Sequence, residues 1–294
     1  PEAPQTQKAI FAYGLNAAEN PFSTSNLVNS SGVVAANVTG VGTARRSLAA
    51  SSYGGDKAFF AFGNSGGSTK VSTKNLVNNS GVVGADVTGV GTARQNLASA
   101  SYGGDKAIVA YGNSGSLSNL SNLVSNSGVV ATDTTGVGTA RADMAGVKYG
   151  SDKAIFAYGY SNQNLSLSNL VTSLGVVGTD VSGVGTARET QAAPYGVDTA
   201  AAAYGQGDSG YLNVKNLINN SGVVGADVSG VGTARYGVGS AGYGGDKGIF
   251  AYGATGSILS MSNLMNNVGV IAADVSGVGT ARRYGVAAGY STSA

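Results

Sequence analysis

The hexapeptide Gly-Val-Gly-Thr-Ala-Arg occurs six times, ending at Arg45, Arg94, Arg141, Arg188, Arg235 and Arg282, at spacings of 49, 47, 47, 47 and 47 residues. A fixed period of this length constrains the architecture before any local propensity does, because each unit is one supersecondary element that cannot bury its apolar face alone. Two further signatures keep the period. Lys-Ala-Ile-Phe-Ala-Tyr-Gly or a variant ends at Gly14, Gly63, Gly112, Gly159, Gly205 and Gly253, and an Asn-Leu pair begins at Asn26, Asn75, Asn122, Asn169, Asn216 and Asn263.

Each unit reads as four short strands. In one copy the first is the apolar run Ala107-Ile108-Val109-Ala110-Tyr111, the second is centred on Asn122-Leu123-Val124, and the third is Gly128-Val129-Val130-Ala131. The fourth runs from about Thr139 to Tyr149 and is rich in Ala and Gly. Such runs are too brief for helices, and turn residues punctuate them at the spacing of an all-β array. No segment keeps a 3.6-residue apolar period. The larger Ile108, Leu123 and Val129 are expected between neighbouring units, and the small-residue strands at a crowded centre.

The ends carry a permutation. The first repeat opens directly on a first-type strand at residues 8–14, and the sequence finishes on an unmatched fourth-type strand, Arg282-Arg283-Tyr284-Gly285-Val286-Ala287-Ala288-Gly289-Tyr290. Pairing that strand with the first removes an exposed edge. The end repeats are also as regular as the middle ones, whereas an open stack needs atypical caps. The expected fold is one closed, all-β, six-bladed β-propeller of four-stranded blades over residues 8–294. Residues 1–7, with neither a basic nor an apolar stretch, read as a short tail rather than a signal peptide.

The order Arg94, then Ala98-Ser99-Ala100, then Tyr102-Gly103-Gly104, then Ala107 to Gly112 resembles the kelch-type propellers, whose repeats run about 50 residues. The order recurs in every copy, although the kelch Trp is missing and Gly-Gly becomes Gly150-Ser151 and Gly196-Val197 in two of them. The near-identity of the copies is also similar in texture to amplified repeats in phage-encoded structural proteins.

Composition then narrows the chemistry. With no Cys and no His, the chain has no thiolate or imidazole for a metal, so the copper chemistry of kelch-like oxidases is not expected, and the usual neutral-pH general base is absent. A net charge of +2 gives no basic field for nucleic acid. No apolar run reaches the roughly 18–20 residues that span a bilayer.

Charge falls into rings. One acidic series is Asp56, Asp105, Asp152, Asp198 and Asp246; a second is Asp86, Asp133, Asp180, Asp227 and Asp274, with Asn37 in the first copy. The six motif arginines, Arg45 to Arg282, are expected to be structural, each pairing with an acid and satisfying turn backbone. The acids outside the series, Glu19, Asp143, Glu189 and Asp208, read as turn or variable-segment residues, so no catalytic carboxylate pair is expected. The copies diverge most between the first and second strands, where Tyr160, Asn162, Gln163, Asp208 and Tyr211 are the candidate binding residues. The functional expectation is a non-enzymatic structural or binding propeller of a virion or tail fibre, extracellular and without cofactor, contacting proteins or a receptor. The alternatives are a lectin-like glycan binder and an engineered or amplified scaffold.

Overall fold

The computed structural model describes residues 5–294, and among them there is no α-helix. Of the tail expected over residues 1–7, residues 1–4 lie outside the described residues.

Six three-stranded antiparallel sheets share one plan. In the first, β1 (Lys8–Ala12) lies between β2 (Ser25–Val28) and the last strand of the chain, β20 (Val286–Tyr290). The second is β3 (Ala49–Tyr53), β4 (Lys57–Ala61) and β7 (Lys74–Val77), with a ribbon of β5 (Asn64–Gly66) and β6 (Thr69–Lys70) after β4. The third is β8 (Ala98–Tyr102), β9 (Lys106–Ala110) and β10 (Ser121–Val124); the fourth is β11 (Ala145–Tyr149), β12 (Lys153–Ala157) and β13 (Ser168–Val171). The fifth is longer, with β14 (Arg188–Tyr195), β15 (Thr199–Gly207) and β16 (Gly210–Ile218), and the sixth is β17 (Gly239–Tyr243), β18 (Lys247–Ala251) and β19 (Ser262–Met265). The terminal strand pairs with the first from Lys8↔Tyr290 to Ala12↔Val286, so the sequence permutation is realised as strand pairing.

The middle strand of each sheet is apolar on both faces because neighbouring sheets cover both. Ile10, Phe11, Phe59, Phe60, Ile108, Val109, Ile155 and Phe156 are all buried. The apolar clusters lie between sheets rather than within them: Ala98, Ala100, Ile108 and Tyr111 of the third sheet pack on Ala154, Phe156 and Val171 of the fourth. Equivalent clusters join the sixth sheet to the first and the first to the second. Each fully buried Ile or Phe contributes about 1.5–3 kcal/mol by leaving water, so stability resides in the sheet-to-sheet seams.

The expected third strand is reduced to single bridges, whereas the expected fourth is present as the strand that pairs with the middle one. In the third repeat Val130 bridges Val124 and Thr134 bridges Ser121, with no continuous ladder between. Gly128, at φ 77°, turns the chain there. A side chain at this glycine would meet the Leu76 and Tyr53 side chains of the preceding sheet. The inward residue is consequently Val130, 4% exposed, and not Val129, which is 59% exposed. The same outward valine recurs at Val33, Val82, Val176, Val223 and Val270.

The fourth-type strands, small and alternating, contact one another in the order β3, β8, β11, β14, β17, β20, with β20 also against β3. Ala50, Ala100, Val147, Ala192, Ala241 and Ala288 thereby line one channel of about 100 Å³. At one end, backbone hydrogen bonds run between sheets from Gly54 to Asp105, Gly103 to Asp152, Gly150 to Asp198, Gly196 to Asp246, Gly244 to Gln7 and Ser291 to Asp56, at 2.7–2.9 Å. Gln7 and Ser291 supply the links that the first sheet would otherwise lack, and Gln7 N–H also donates to the Ser291 carbonyl at 2.7 Å.

Candidate functional site

The six repeat-locked aromatics, Tyr13, Phe62, Tyr111, Tyr158, Tyr204 and Tyr252, all sit at φ between 61° and 66°. A bulky side chain is an outlier there and persists only when its surroundings over-determine it. Here the surroundings are the motif arginine of the next sheet. Arg141 lies 4.4 Å from the Tyr111 ring centre, and its Nε donates to the Tyr158 carbonyl at 2.9 Å. Arg45, Arg188 and Arg235 repeat both contacts.

All six arginines are at most 1% exposed. Five of them, all but Arg94, satisfy turn backbone, but the expected acidic pairing is confined among the described residues to Arg45–Asp86, at 3.9 Å. The second acidic series instead caps the incoming motif: Asp133 accepts from both the N–H and the hydroxyl of Thr92. Arg94 is the exception among the six. Its aromatic is Phe62, 5.4 Å away, and its Nε and Nη1 have no partner among the described residues.

Immediately after the invariant hexapeptide comes a residue pair that no two copies share: Arg46-Ser47, Gln95-Asn96, Ala142-Asp143, Glu189-Thr190, Tyr236-Gly237 and Arg283-Tyr284. In five of the six copies the second member of the pair links to the preceding sheet. Ser47 N–H donates to Tyr284, Asn96 to Ser47, Asp143 to Asn96, Thr190 to Asp143 and Tyr284 to Gly237, at 2.8–3.2 Å. These bonds run round the end of the channel opposite Gln7 and Ser291. The first member of each pair faces the opening of a variable loop, as in Arg46↔Asn64, Gln95↔Asn113, Ala142↔Tyr160, Tyr236↔Ala254 and Leu15↔Arg283. The two divergent features of the sequence are therefore physically joined.

The sixth link, from Gly237 to Thr190, is not made. Ser47, Asn96, Asp143, Gly237 and Tyr284 all take φ between 53° and 63°, and Thr190 does not. A β-branched residue is the least suited to that region. Copy five runs on as the eight-residue strand β14, with a bulge between Glu189 and Gln191, and Thr190 Oγ1 donates to the Tyr204 carbonyl at 2.9 Å.

The missed link leaves a cleft of about 30 Å³ lined by Asp143, Glu189, Thr190, Tyr236, Gly237 and Tyr284, with Gln191, Gly205 and Val238 behind them. Burial lifts the Asp143 carboxyl to about 6 against a hydrogen bond from Asn96. Burial and then the Asp143 charge lift Glu189 to about 7. The Tyr284 hydroxyl is raised by burial and by Asp143. Arg283 lies 5.6 Å from the Tyr236 ring and 5.3 Å from that of Tyr284, and it is held by Glu19 at 2.5 Å.

The candidate residues from the variable loops lie on this same face. The β15–β16 hairpin carries Asp208 at its tip and Tyr211 beside it. Tyr211 stacks on Tyr236 at 4.9 Å and 14°, while Asn164 donates to Asp208 at 2.6 Å. Tyr160 is 40% exposed and pairs with Ala142; Asn162 and Gln163 are exposed at the tip of its loop. Asp143 and Glu189, expected in turns or variable segments, occupy repeat-defined positions and meet in one cleft. The signal that finds them is divergence directly after an invariant motif.

The molecule is thus an all-β repeat protein of six three-stranded sheets with one unsymmetrical face. No protein-family model matches the chain, and no curated protein matches it.

Proposed function

We propose that the chain is a non-enzymatic binding module, a kelch-like six-bladed β-propeller closed by its C-terminal strand, which reads a ligand with the divergent end of its channel. The observation that carries this reading is the six mutually unlike residue pairs that follow six identical motifs and come together on one face. Repeat architecture alone favours sameness, so divergence confined to one face is the mark of a surface selected for something outside the fold. Residues 5–7 and 291 lie at the other end of the channel. Anything joined to either end therefore leaves the variable face free, as suits a module displayed on a larger extracellular assembly such as a virion or tail fibre.

A lectin-like reading is favoured by one observation, the exposed ring of Tyr211 stacked on Tyr236. Such a platform suits the apolar face of a sugar.

The test is a symmetrised variant in which all six pairs become Gln-Asn. Asn tolerates the left-handed backbone these positions require, so the fold is expected to survive, as a thermal melt verifies. The wild type, immobilised through either end, is applied to a glycan array and to intact cells. Binding that disappears in the symmetrised variant supports the reading. Equal binding by a folded symmetrised variant sinks it. Co-purification in fixed stoichiometry with capsid or tail proteins supports the virion setting, and isolation as a lone chain removes it.

A further inference from the structure

The segment Gln5–Gln7 crosses the end of the channel away from the divergent face. Gln7 is fixed at the rim: its N–H donates to the Ser291 carbonyl at 2.7 Å, and its own carbonyl accepts from Gly244 at 2.9 Å. The Thr6 carbonyl accepts from Gly245 at 3.1 Å, and Thr6 lines the channel. The Gln5 side-chain oxygen then accepts from Lys148 Nζ. Lys148 belongs to β11, which lies three places from β20 in the order of contact round the channel, and Ser291 directly follows β20. Anchor and far contact therefore sit on opposite sides. Three extended residues reach about 10 Å, and the Gln5 and Lys148 side chains complete the crossing.

The seat is shaped for this segment on both sides. The residue just before the tyrosine that closes each fourth-type strand is Ser52, Ser101, Lys148, Pro194, Gly242 or Gly289. One of these carries a charge, and it is the one that meets Gln5. Directly across, a side chain on Gly289 would come within 2.2 Å of Thr6 Oγ1. Gly289 lies in the regular ladder with β1 and outside the left-handed region. The space taken by Thr6, rather than the backbone, calls for glycine there.

The two halves of the segment are held differently. The bond from Gly244 to Gln7 repeats those from Gly54, Gly103, Gly150 and Gly196 to the aspartates of the next sheet, so Gln7 is a member of that ring. The bond from Gly245 to Thr6 has no counterpart at Gly55, Gly104, Ser151 or Val197 among the described residues. Gln5 and Thr6 bring no large apolar side chain to the mouth. An element held by few polar contacts, without apolar burial, opens locally and far more readily than the fold as a whole.

We propose that Gln5 and Thr6 form a strap hinged at Gln7, which covers this mouth of the channel and lifts away without disturbing the ring of sheets. A second cavity of about 50 Å³ continues the channel, sharing Ala50, Ser99, Gly146 and Ser240 with the first and reaching Gln191, which also lines the divergent cleft. The strap thereby sets whether the interior is reached from one face or from both. This holds whether or not the divergent face binds a ligand.

The experiment follows amide hydrogen exchange of the whole chain by NMR. Gly245 N–H is expected to exchange about tenfold faster than Gly244 N–H, because opening the strap frees only the former. Lys148→Ser and Gly289→Ser each install the residue that Ser52 and Ser101 hold at the same place, so the fold is expected to survive, as a thermal melt verifies. Each variant is expected to speed exchange at Gly245 by a further factor of about ten, with Gly244 and the melting temperature unchanged. Acetic anhydride labelling read by mass spectrometry reports access to the mouth: in Gly289→Ser, Lys148 is expected to react about tenfold faster than in the wild type, with Lys106 unchanged. The two variants act on opposite ends of the crossing, so if one fails to fold the other decides. Equal exchange at Gly244 and Gly245 in the wild type overturns the proposal. So does a folded variant in which both glycines speed up together and the melt falls, since the segment would then be part of ring closure. Unchanged exchange at Gly245 in a folded variant overturns it as well.

Discussion

Replacing Glu189 by Gln removes one of two like charges that the fold forces together, and the consequence is a stability gain that depends on pH. Glu189 is lifted from its ordinary 4.5 to about 7, by burial first and by the Asp143 charge second. A carboxyl lifted that far binds its proton more tightly in the folded state than in the unfolded chain. Its favourable contribution is therefore complete below about pH 4, and it is lost as pH rises through 7. At one pH unit per 1.36 kcal/mol the loss is about 3 kcal/mol in the wild type at pH 8. The Gln amide adds no charge but must still be hydrogen-bonded, at a cost of about 1 kcal/mol where it is not, which leaves a net gain of about 2 kcal/mol. For a chain of this size that is a rise of roughly 4 °C in melting temperature. Differential scanning calorimetry of both proteins at pH 4 and pH 8 is the assay: the gain is expected at pH 8 and absent at pH 4. An equal change at both pH values, or a lower melting temperature for the variant at pH 8, would refute the reasoning that an uncompensated carboxylate pair sits in the cleft.

Two other perturbations test the frame around the site. Phe62→Tyr gives the second copy the hydroxyl that bonds the Val137, Val184, Val231 and Val278 carbonyls in its counterparts; a gain of about 1 kcal/mol, seen as a melting rise of about 2 °C, is expected, and no rise refutes the equivalence. Deleting residues 286–294 strips β1 of its partner and exposes a strand edge; loss of the cooperative melt with self-association on size-exclusion chromatography is expected, and a monomer with an unchanged melt contradicts the role given to β20.

The strands were legible where the copies agree. Lys-Ala-Ile-Phe-Ala reads as a doubly covered strand because both faces are apolar, and the missing partner of β1 could be counted off the ends of the sequence. The outer strand was less legible: Gly-Val-Val-Ala has strand-like composition, but the left-handed Gly128 restricts it to single bridges and selects Val130 over Val129 as the buried valine. Five of the six arginines donate to turn backbone as expected, while the acid pairing expected of all six holds only for Arg45; their stacking on an aromatic ring of the neighbouring sheet could not be read, because it depends on how sheets rotate past one another. Asp143 and Glu189 were the hardest. They are 46 residues apart, and only the failure of Thr190 to adopt its siblings' backbone opens the space that brings them into one cleft.

The pairing of β1 with β20 also sets how the molecule bears force. Lys8 and Tyr290 are register partners, and both strands leave the sheet at that same end. Tension applied between the two ends of the chain would open their ladder one rung at a time, the weakest way to load hydrogen bonds. Tension between one end and a ligand held at the opposite mouth runs along the strands, so many rungs must yield together. A tether through a single end would therefore grip far harder than one drawn through both.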